Sequence, residues 1–373
     1  MKVLSIFGTR PEAIKMAPVI KQLERHPDHF TSLVCVTAQH RQMLDQVLSL
    51  FDINPDYDLN IMRHDQTLAQ VTASALTEID AVLLAEKPDW VLIQGDTTTA
   101  MVGALAAFYR RIRVAHVEAG LRTWDKFQPF PEEINRKIAD AVCDLHFAPT
   151  EVARENLLRE GVDAASVVVT GNTVIDALLE VAGRDYDWRE GELSRIPRDK
   201  RLILVTAHRR ENFGAPLMEI CAALKEIAER YMDAHVIYPV HLNPNVRSVA
   251  FDLLSGVENV TLTDPLEYLP LAQLMKASYL VLTDSGGLQE EAPGLGKPVL
   301  VLREVTERPE GVTAGTVKLV GTDRRRIVEE TARLFDDRTE YERMSRAINP
   351  YGDGRAGERI VEKLRTGVLQ LGR

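Results

Sequence analysis

The sequence predicts an α/β protein of two domains, each built on a parallel sheet with helices on both faces. Three observations carry the prediction. The chain has 373 residues, more than one core usually organises, and suits two domains of about 150 to 200 residues each. Short continuous apolar runs alternate with longer segments of helical periodicity, the rhythm of βαβ units whose strands are buried on both faces. Polar and glycine-containing motifs stand where the apolar runs end, and open parallel sheets bind ligands at their strand carboxyl ends.

In the first half, strands are expected over 3–7, 33–37, 90–94 and 113–117, and helices over 11–25, 40–50 and 97–109. Gly8-Thr-Arg-Pro-Glu-Ala-Ile-Lys15, Thr37-Ala-Gln-His-Arg41, Gly95-Asp-Thr-Thr-Thr99 and Glu118-Ala-Gly-Leu-Arg-Thr123 follow four of these strands. Periodicity is lost and charge rises over 183–200, so the hinge is placed near 171–200. The domains are assigned as 1–171 and 172–351, with a helix at about 352–373 free to pack on either. Strands resume over 202–206, 234–240, 260–262, 279–283 and 298–302. Gly352-Asp-Gly-Arg-Ala-Gly357 has the spacing of a dinucleotide fingerprint but follows no strand and precedes only a short tail, so it reads as a turn into the last helix.

Composition excludes several classes. Apolar residues make up 45% and charged residues 27%, which a mostly disordered chain would not show. No apolar run of ~18 residues appears, and the first strand stops at Gly8 without a cleavage site, so a cytoplasmic protein with no membrane segment is expected. The three cysteines lack ligand spacing, so neither a disulfide frame nor a metal site is supported. With Lys plus Arg at 45 against Asp plus Glu at 55, no nucleic-acid surface is expected, and an anionic ligand has to meet a local basic pocket.

Such a pocket is suggested by Leu280-Val-Leu-Thr-Asp-Ser-Gly-Gly-Leu-Gln-Glu-Glu291, a strand running into glycines and then a helix. Asp284 and Ser285 are the expected helix caps. Gly286 and Gly287 leave bare N–H groups and the positive helix end facing an anion such as a diphosphate. Glu290 and Glu291 follow within reach of an attached ribose. His208-Arg209-Arg210 and Thr306-Glu-Arg-Pro-Glu310 follow neighbouring strands, and Arg10 and Lys15 follow the first. Asp96, Glu118 and the pair Glu132-Glu133 bring carboxylates to strand ends or helix starts of the first half, where helix capping is the simpler role for each one alone.

The blocks FGTRPEAIKMAP, VTAQHRQMLDQVL, GDTTT, HVEAGLRT, PEEINR, GNTVIDAL, TAHRRENFG, YPVHLNPNV, DSGGLQEEAP, TERPEG and NPYGDGRA together resemble the non-hydrolysing bacterial UDP-N-acetylglucosamine 2-epimerases over nearly the whole chain. The resemblance implies a GT-B architecture of two Rossmann-like domains with the ligand in the interdomain cleft, a homodimer, and no cofactor. It places the diphosphate on Ser285, Gly286 and Gly287 with Arg10, His208 and Arg308 in the anion pocket, and the ribose on Glu291; Lys15 is a further substrate-binding candidate. The uracil falls between main-chain groups near Leu266 and the side chain of Leu271, where relatives often carry an aromatic. Asp96, Glu118 and Glu132 become the acid/base groups, with His208 contributing. A second UDP-N-acetylglucosamine is implied as activator, on Gln39, His40, Gln42, Gln66, Glu132, Arg209 and His241.

The implied reaction inverts carbon 2 of UDP-N-acetylglucosamine to give UDP-N-acetylmannosamine, the precursor for bacterial cell-surface polysaccharide. No carbonyl flanks that carbon, so deprotonation needs loss of the nucleotide: UDP leaves by anti elimination to 2-acetamidoglucal, then adds back syn with a proton on the other face. Acid/base groups on both faces and cations for the departing diphosphate are therefore required. A hydrolysing 2-epimerase and a GT-B glycosyltransferase are the alternatives.

Overall fold

The computed structural model describes residues 1–38, 41–63 and 65–371. The chain divides into two compact units, Met1–Ala177 with Tyr351–Arg373, and Leu178–Pro350.

The first unit carries seven strands: β1 (Lys2–Phe7), β2 (Thr31–Val36), β3 (Tyr57–Asp58), β4 (Trp90–Gln94), β5 (Arg113–Val117), β6 (Leu145–Ala148) and β7 (Val167–Val169). They lie in the order β3-β2-β1-β4-β5-β6-β7, and every pairing is parallel. β1 and β4 read KVLSIF and WVLIQ and are almost wholly buried, which is why their pattern is continuous rather than alternating. The order reverses between β1 and β4, so a crevice is expected beyond their carboxyl ends.

That switch point is tightly built. Gly8 has no room for a side chain, since a Cβ there would lie 2.1 Å from Thr37 Oγ1 and 2.9 Å from Thr99 Oγ1. Those two hydroxyls bond each other at 2.8 Å. Glu12, buried in the first turn of the helix Arg10–Glu24, accepts from Gly8 N at 3.0 Å and Thr9 N at 2.7 Å through Oε2, while Oε1 accepts from Thr97 Oγ1 at 2.5 Å. One carboxylate thus ties the loop after β1 to the loop after β4.

The second unit repeats the plan with β8 (Arg201–Thr206), β9 (Ala234–Pro239), β10 (Val260–Thr263), β11 (Leu280–Thr283), β12 (Val299–Val301) and β13 (Val317–Leu319), ordered β10-β9-β8-β11-β12-β13 and all parallel. Its switch point lies between β8 and β11. The helix Ala356–Leu371 belongs to the first unit, where Asp176 accepts from Ala356 N at 3.2 Å and Gly357 N at 2.8 Å; the residues 352–355 form the turn that leads into it.

The helix Leu68–Glu86, not anticipated from the sequence, is long and apolar enough by length and composition to cross a membrane. It buries Val71, Ala75, Ile79, Val82 and Leu83 in the core beside β1, β4 and the helix Thr98–Tyr109, the place of a sheet-covering helix.

Candidate functional site

At the carboxyl edge of the first sheet, Glu118 follows β5 with φ of 67°, a left-handed conformation that costs a non-glycine residue roughly 1–3 kcal/mol and persists only where surroundings enforce it. Here they do. Lys15 Nζ lies 2.6 and 2.7 Å from the two carboxylate oxygens, Asn172 Nδ2 donates to Oε1 at 3.0 Å, and Gln94 Nε2 donates to Oε2. A Cβ on Gly95 would be 3.8 Å from Oε2, so the carboxylate rests against the residue preceding Asp96.

Asp96 is half-buried and held from the helix Glu132–Val142. Arg136 donates from Nε at 3.0 Å and Nη2 at 2.6 Å, both to Oδ2, and Asn135 Nδ2 donates to the Asp96 carbonyl at 2.9 Å. Oδ1 has no partner among the described residues. Of the pair that opens this helix, Glu133 is fully buried and accepts from Thr123 N, Trp124 N and Arg136, whereas Glu132 is half-buried and makes no hydrogen bond or ion pair among the described residues. The structure thus gathers Asp96, Glu118 and the start of the Glu132 helix on one sheet edge, with Lys15 consumed by Glu118.

In the second unit the expected capping by Asp284 and Ser285 does not occur. Ser285 stands at the N-cap of the helix Gly286–Gly294 in extended backbone, but its side chain makes no capping bond. Asp284, fully buried, turns instead to the loop after β8, where Oδ2 accepts from His208 N and Arg209 N, both at 2.7 Å, and from Asn212 Nδ2 at 3.1 Å. Three donors on the neighbouring loop outcompete the helix start for this oxygen. The first-turn N–H groups of Gly286 and Gly287 are left without a side-chain cap, the arrangement that accepts an anion.

Cations flank that helix end. A Cβ on Gly286 would sit 3.7 Å from Arg209 Nη2 and 3.9 Å from Arg308 Nη2. Both guanidiniums are partly matched: Arg308 Nε donates to Glu290, and Arg209 Nη1 lies 3.7 Å from Glu307. Glu290, placed by sequence near a ribose, therefore serves Arg308, while Glu291 accepts from Tyr268 OH at 3.3 Å. His208 is half-buried and its ring stacks on exposed His241, centroids 5.4 Å apart. Burial pushes the His208 imidazole below its ordinary value, Asp284 opposes, and His241 and Arg209 push it further down. Leu266 is buried before the helix Tyr268–Ala277, and Leu271 is half-buried within it.

Of the other expected residues, Arg10 begins the helix Arg10–Glu24 and is half-buried. Gln66 spends its amide locally, accepting from Arg63 N at 2.6 Å and donating to the Ile61 carbonyl at 3.1 Å. Gln42 lies in the helix Arg41–Leu50; Gln39 and His40 lie outside the described residues. Sequence reasoning missed Gln94, Asn135, Arg136 and Asn172. The signal for Arg136 was present, since in PEEINR it stands four residues after Glu132 on the same helix face.

The family model described as UDP-N-acetylglucosamine 2-epimerase matches residues 21–365. An Escherichia coli K12 protein of that name is 57% identical over 377 residues, covering 100% of each chain. The solved UDP-GlcNAc 2-epimerase of Neisseria meningitidis, bound to UDP-GlcNAc, superposes with a TM-score of 0.86 at 50% identity, covering 98% of this chain and 100% of that one. A Staphylococcus aureus structure with UDP gives a TM-score of 0.87 at 49% identity, covering 100% and 98%. The fold class is accordingly GT-B, two Rossmann-like units each on a parallel sheet.

Proposed function

Because the chain belongs to the UDP-N-acetylglucosamine 2-epimerase family, we propose that it interconverts UDP-N-acetylglucosamine and UDP-N-acetylmannosamine without net hydrolysis. The observation that supports the reading is the sheet edge of the first unit, where Glu118 follows β5, the helix that Glu132 opens holds Asp96 through Asn135 and Arg136, and Asp96 Oδ1 has no partner among the described residues. Inversion at a carbon with no neighbouring carbonyl needs a proton removed on one face and supplied on the other while the nucleotide is off. UDP leaves as the carbon 2 proton is taken, 2-acetamidoglucal stays bound, and UDP returns to carbon 1 as the opposite face is protonated. The bare N–H groups of Gly286 and Gly287, with Arg209 and Arg308, stabilise the charge on the departing diphosphate, and His208 assists. Glu291 takes the ribose, and Leu266 and Leu271 the uracil.

Glu118, saturated by Lys15, Gln94 and Asn172, is the anchored carboxylate of the set; Asp96 and Glu132 have oxygens left for proton transfer. A second UDP-N-acetylglucosamine activates through Arg209 and His241 with Gln42, Gln66 and Glu132, the enzyme works as a homodimer, and its product supplies cell-surface polysaccharide.

Proton NMR of UDP-N-acetylglucosamine with the full chain in deuterated water, without added nicotinamide, tests the reaction. Deuterium should appear at carbon 2 of UDP-N-acetylmannosamine. Protium retained there, or dependence on nicotinamide, would defeat the elimination route; free N-acetylmannosamine as main product would indicate the hydrolysing reaction, and activity only with an acceptor a transferase.

A further inference from the structure

Behind the acid edge of the first unit lies a histidine with acceptors on both sides. His116, on β5 and fully buried, has Nδ1 2.6 Å from Asp140 Oδ1 and Nε2 2.7 Å from the Gly95 carbonyl oxygen. A carbonyl oxygen only accepts, so Nε2 has to donate to Gly95, while Nδ1 faces the Asp140 carboxylate. Asp140 is ionised: burial pushes its carboxyl up, but His116 and Arg122 outweigh that and bring it down to about 2. Arg122 Nη2 bonds the other Asp140 oxygen and Glu160 Oε2, each at 2.6 Å, and Lys137 Nζ lies 3.2 Å from Glu160 Oε1, so the carboxylates run outward from His116 between paired cations. Burial lowers the His146 imidazole, whose Nε2 meets the Asp140 carbonyl at 2.9 Å, and burial keeps the Cys143 thiol protonated.

We infer that His116 is a positioning residue for the reaction: its Nε2–H pins the Gly95 carbonyl and thereby fixes the backbone from which Asp96 projects. The inference rests on the role proposed for Asp96. Two features make the pinning consequential. Gly95 has φ of 69°, so the turn is not the chain's default, and the next carbonyl, that of Asp96, is held by Asn135. Both peptide oxygens of the turn are thus bound by side chains, and His116 holds the first of them.

Two conservative variants separate positioning from plain charge balance. The glutamine amide nitrogen reaches about as far as Nε2, and the asparagine nitrogen about as far as Nδ1. His116→Gln therefore keeps a donor for Gly95 and loses the one for Asp140, while His116→Asn does the reverse. Positioning predicts that His116→Asn lowers kcat roughly 100-fold with UDP affinity kept, whereas His116→Gln stays within about tenfold of the parent. The opposite ranking would overturn it. In an Asp96→Asn background, His116→Asn should bring no further loss; multiplicative losses would show that it acts elsewhere. Should either variant fail to fold, ring nitrogen NMR of the unmodified full chain decides the donor: Nε2 should carry a proton, and a bare Nε2 would overturn the assignment. A parental rate for Asp96→Asn alone would remove the positioning role together with the reading of Asp96, and the NMR result would still report the Nε2–H donor on its own.

Discussion

Asp140 is enclosed by His116 and Arg122, so replacing it should register as lost stability before anything else. Asp140→Asn leaves Arg122 short of a counter-charge and should cost roughly 3 kcal/mol or more, the range for breaking one member of a buried ion network. The pH dependence has a definite sign. The folded carboxyl lies at about 2 against an ordinary 3.8, so between these values the unfolded chain binds the extra proton. Its contribution, on the order of 2 kcal/mol, is fully present above the ordinary value and is lost as pH falls through the folded one. Melting temperatures near pH 3 and pH 6 should converge between the parent and Asp140→Asn at the lower pH; an unchanged gap would exclude Asp140 as the titrating group. At this scale sequence was least informative. Asp284 was expected to cap its own helix and instead holds the β8 loop, because a motif names a side chain without saying which of two sets of N–H groups it will face.

Among elements, the long strands were legible because both faces are buried and their apolar runs are unbroken: 90–94 and 113–117 match β4 and β5 residue for residue. β6, β7 and β13, of four, three and three residues, were missed since so short a run has no readable period, and β6 carries His146 toward the Asp140 carbonyl. The helix Leu68–Glu86 was missed for another reason: its hydropathy is high nearly all round, so its apolar stripe does not stand out. Core packing and a lipid-facing role make opposite demands on it. Ile79 is fully buried and Leu84 is 54% exposed. Ile79→Ala should therefore destabilise by about 2–4 kcal/mol and Leu84→Ser by no more than about 0.5 kcal/mol in chemical unfolding. Comparable losses at both sites would mean that Leu84 faces something apolar.

For the whole molecule, the doubly wound class and the placing of motifs at strand ends were legible because two runs of βαβ units leave a parallel sheet few other arrangements. The charge of the anion site was not. A net charge of −10 led to the expectation of a locally basic pocket, yet the guanidiniums beside Gly286 each have a carboxylate within 4.0 Å, Glu290 for Arg308 and Glu307 for Arg209. On the proposed reading, recognition of a diphosphate there comes from directed donors, the bare N–H groups of Gly286 and Gly287 and the flanking guanidiniums, rather than from an excess of positive charge. Ionic strength separates the two sources. Excess charge acts over a Debye length of about 10 Å and fades as salt shortens it to about 3 Å, whereas hydrogen bonds at contact are little screened. Titration calorimetry of UDP between about 0.05 M and about 1 M salt should thus show affinity falling by less than about tenfold. Arg308→Met should lower affinity by a similar factor at both ends of that range, because what it removes is a donor in contact with the ligand. A fall of a hundredfold or more in the unmodified protein would mean that the carboxylates leave the guanidiniums when the nucleotide binds.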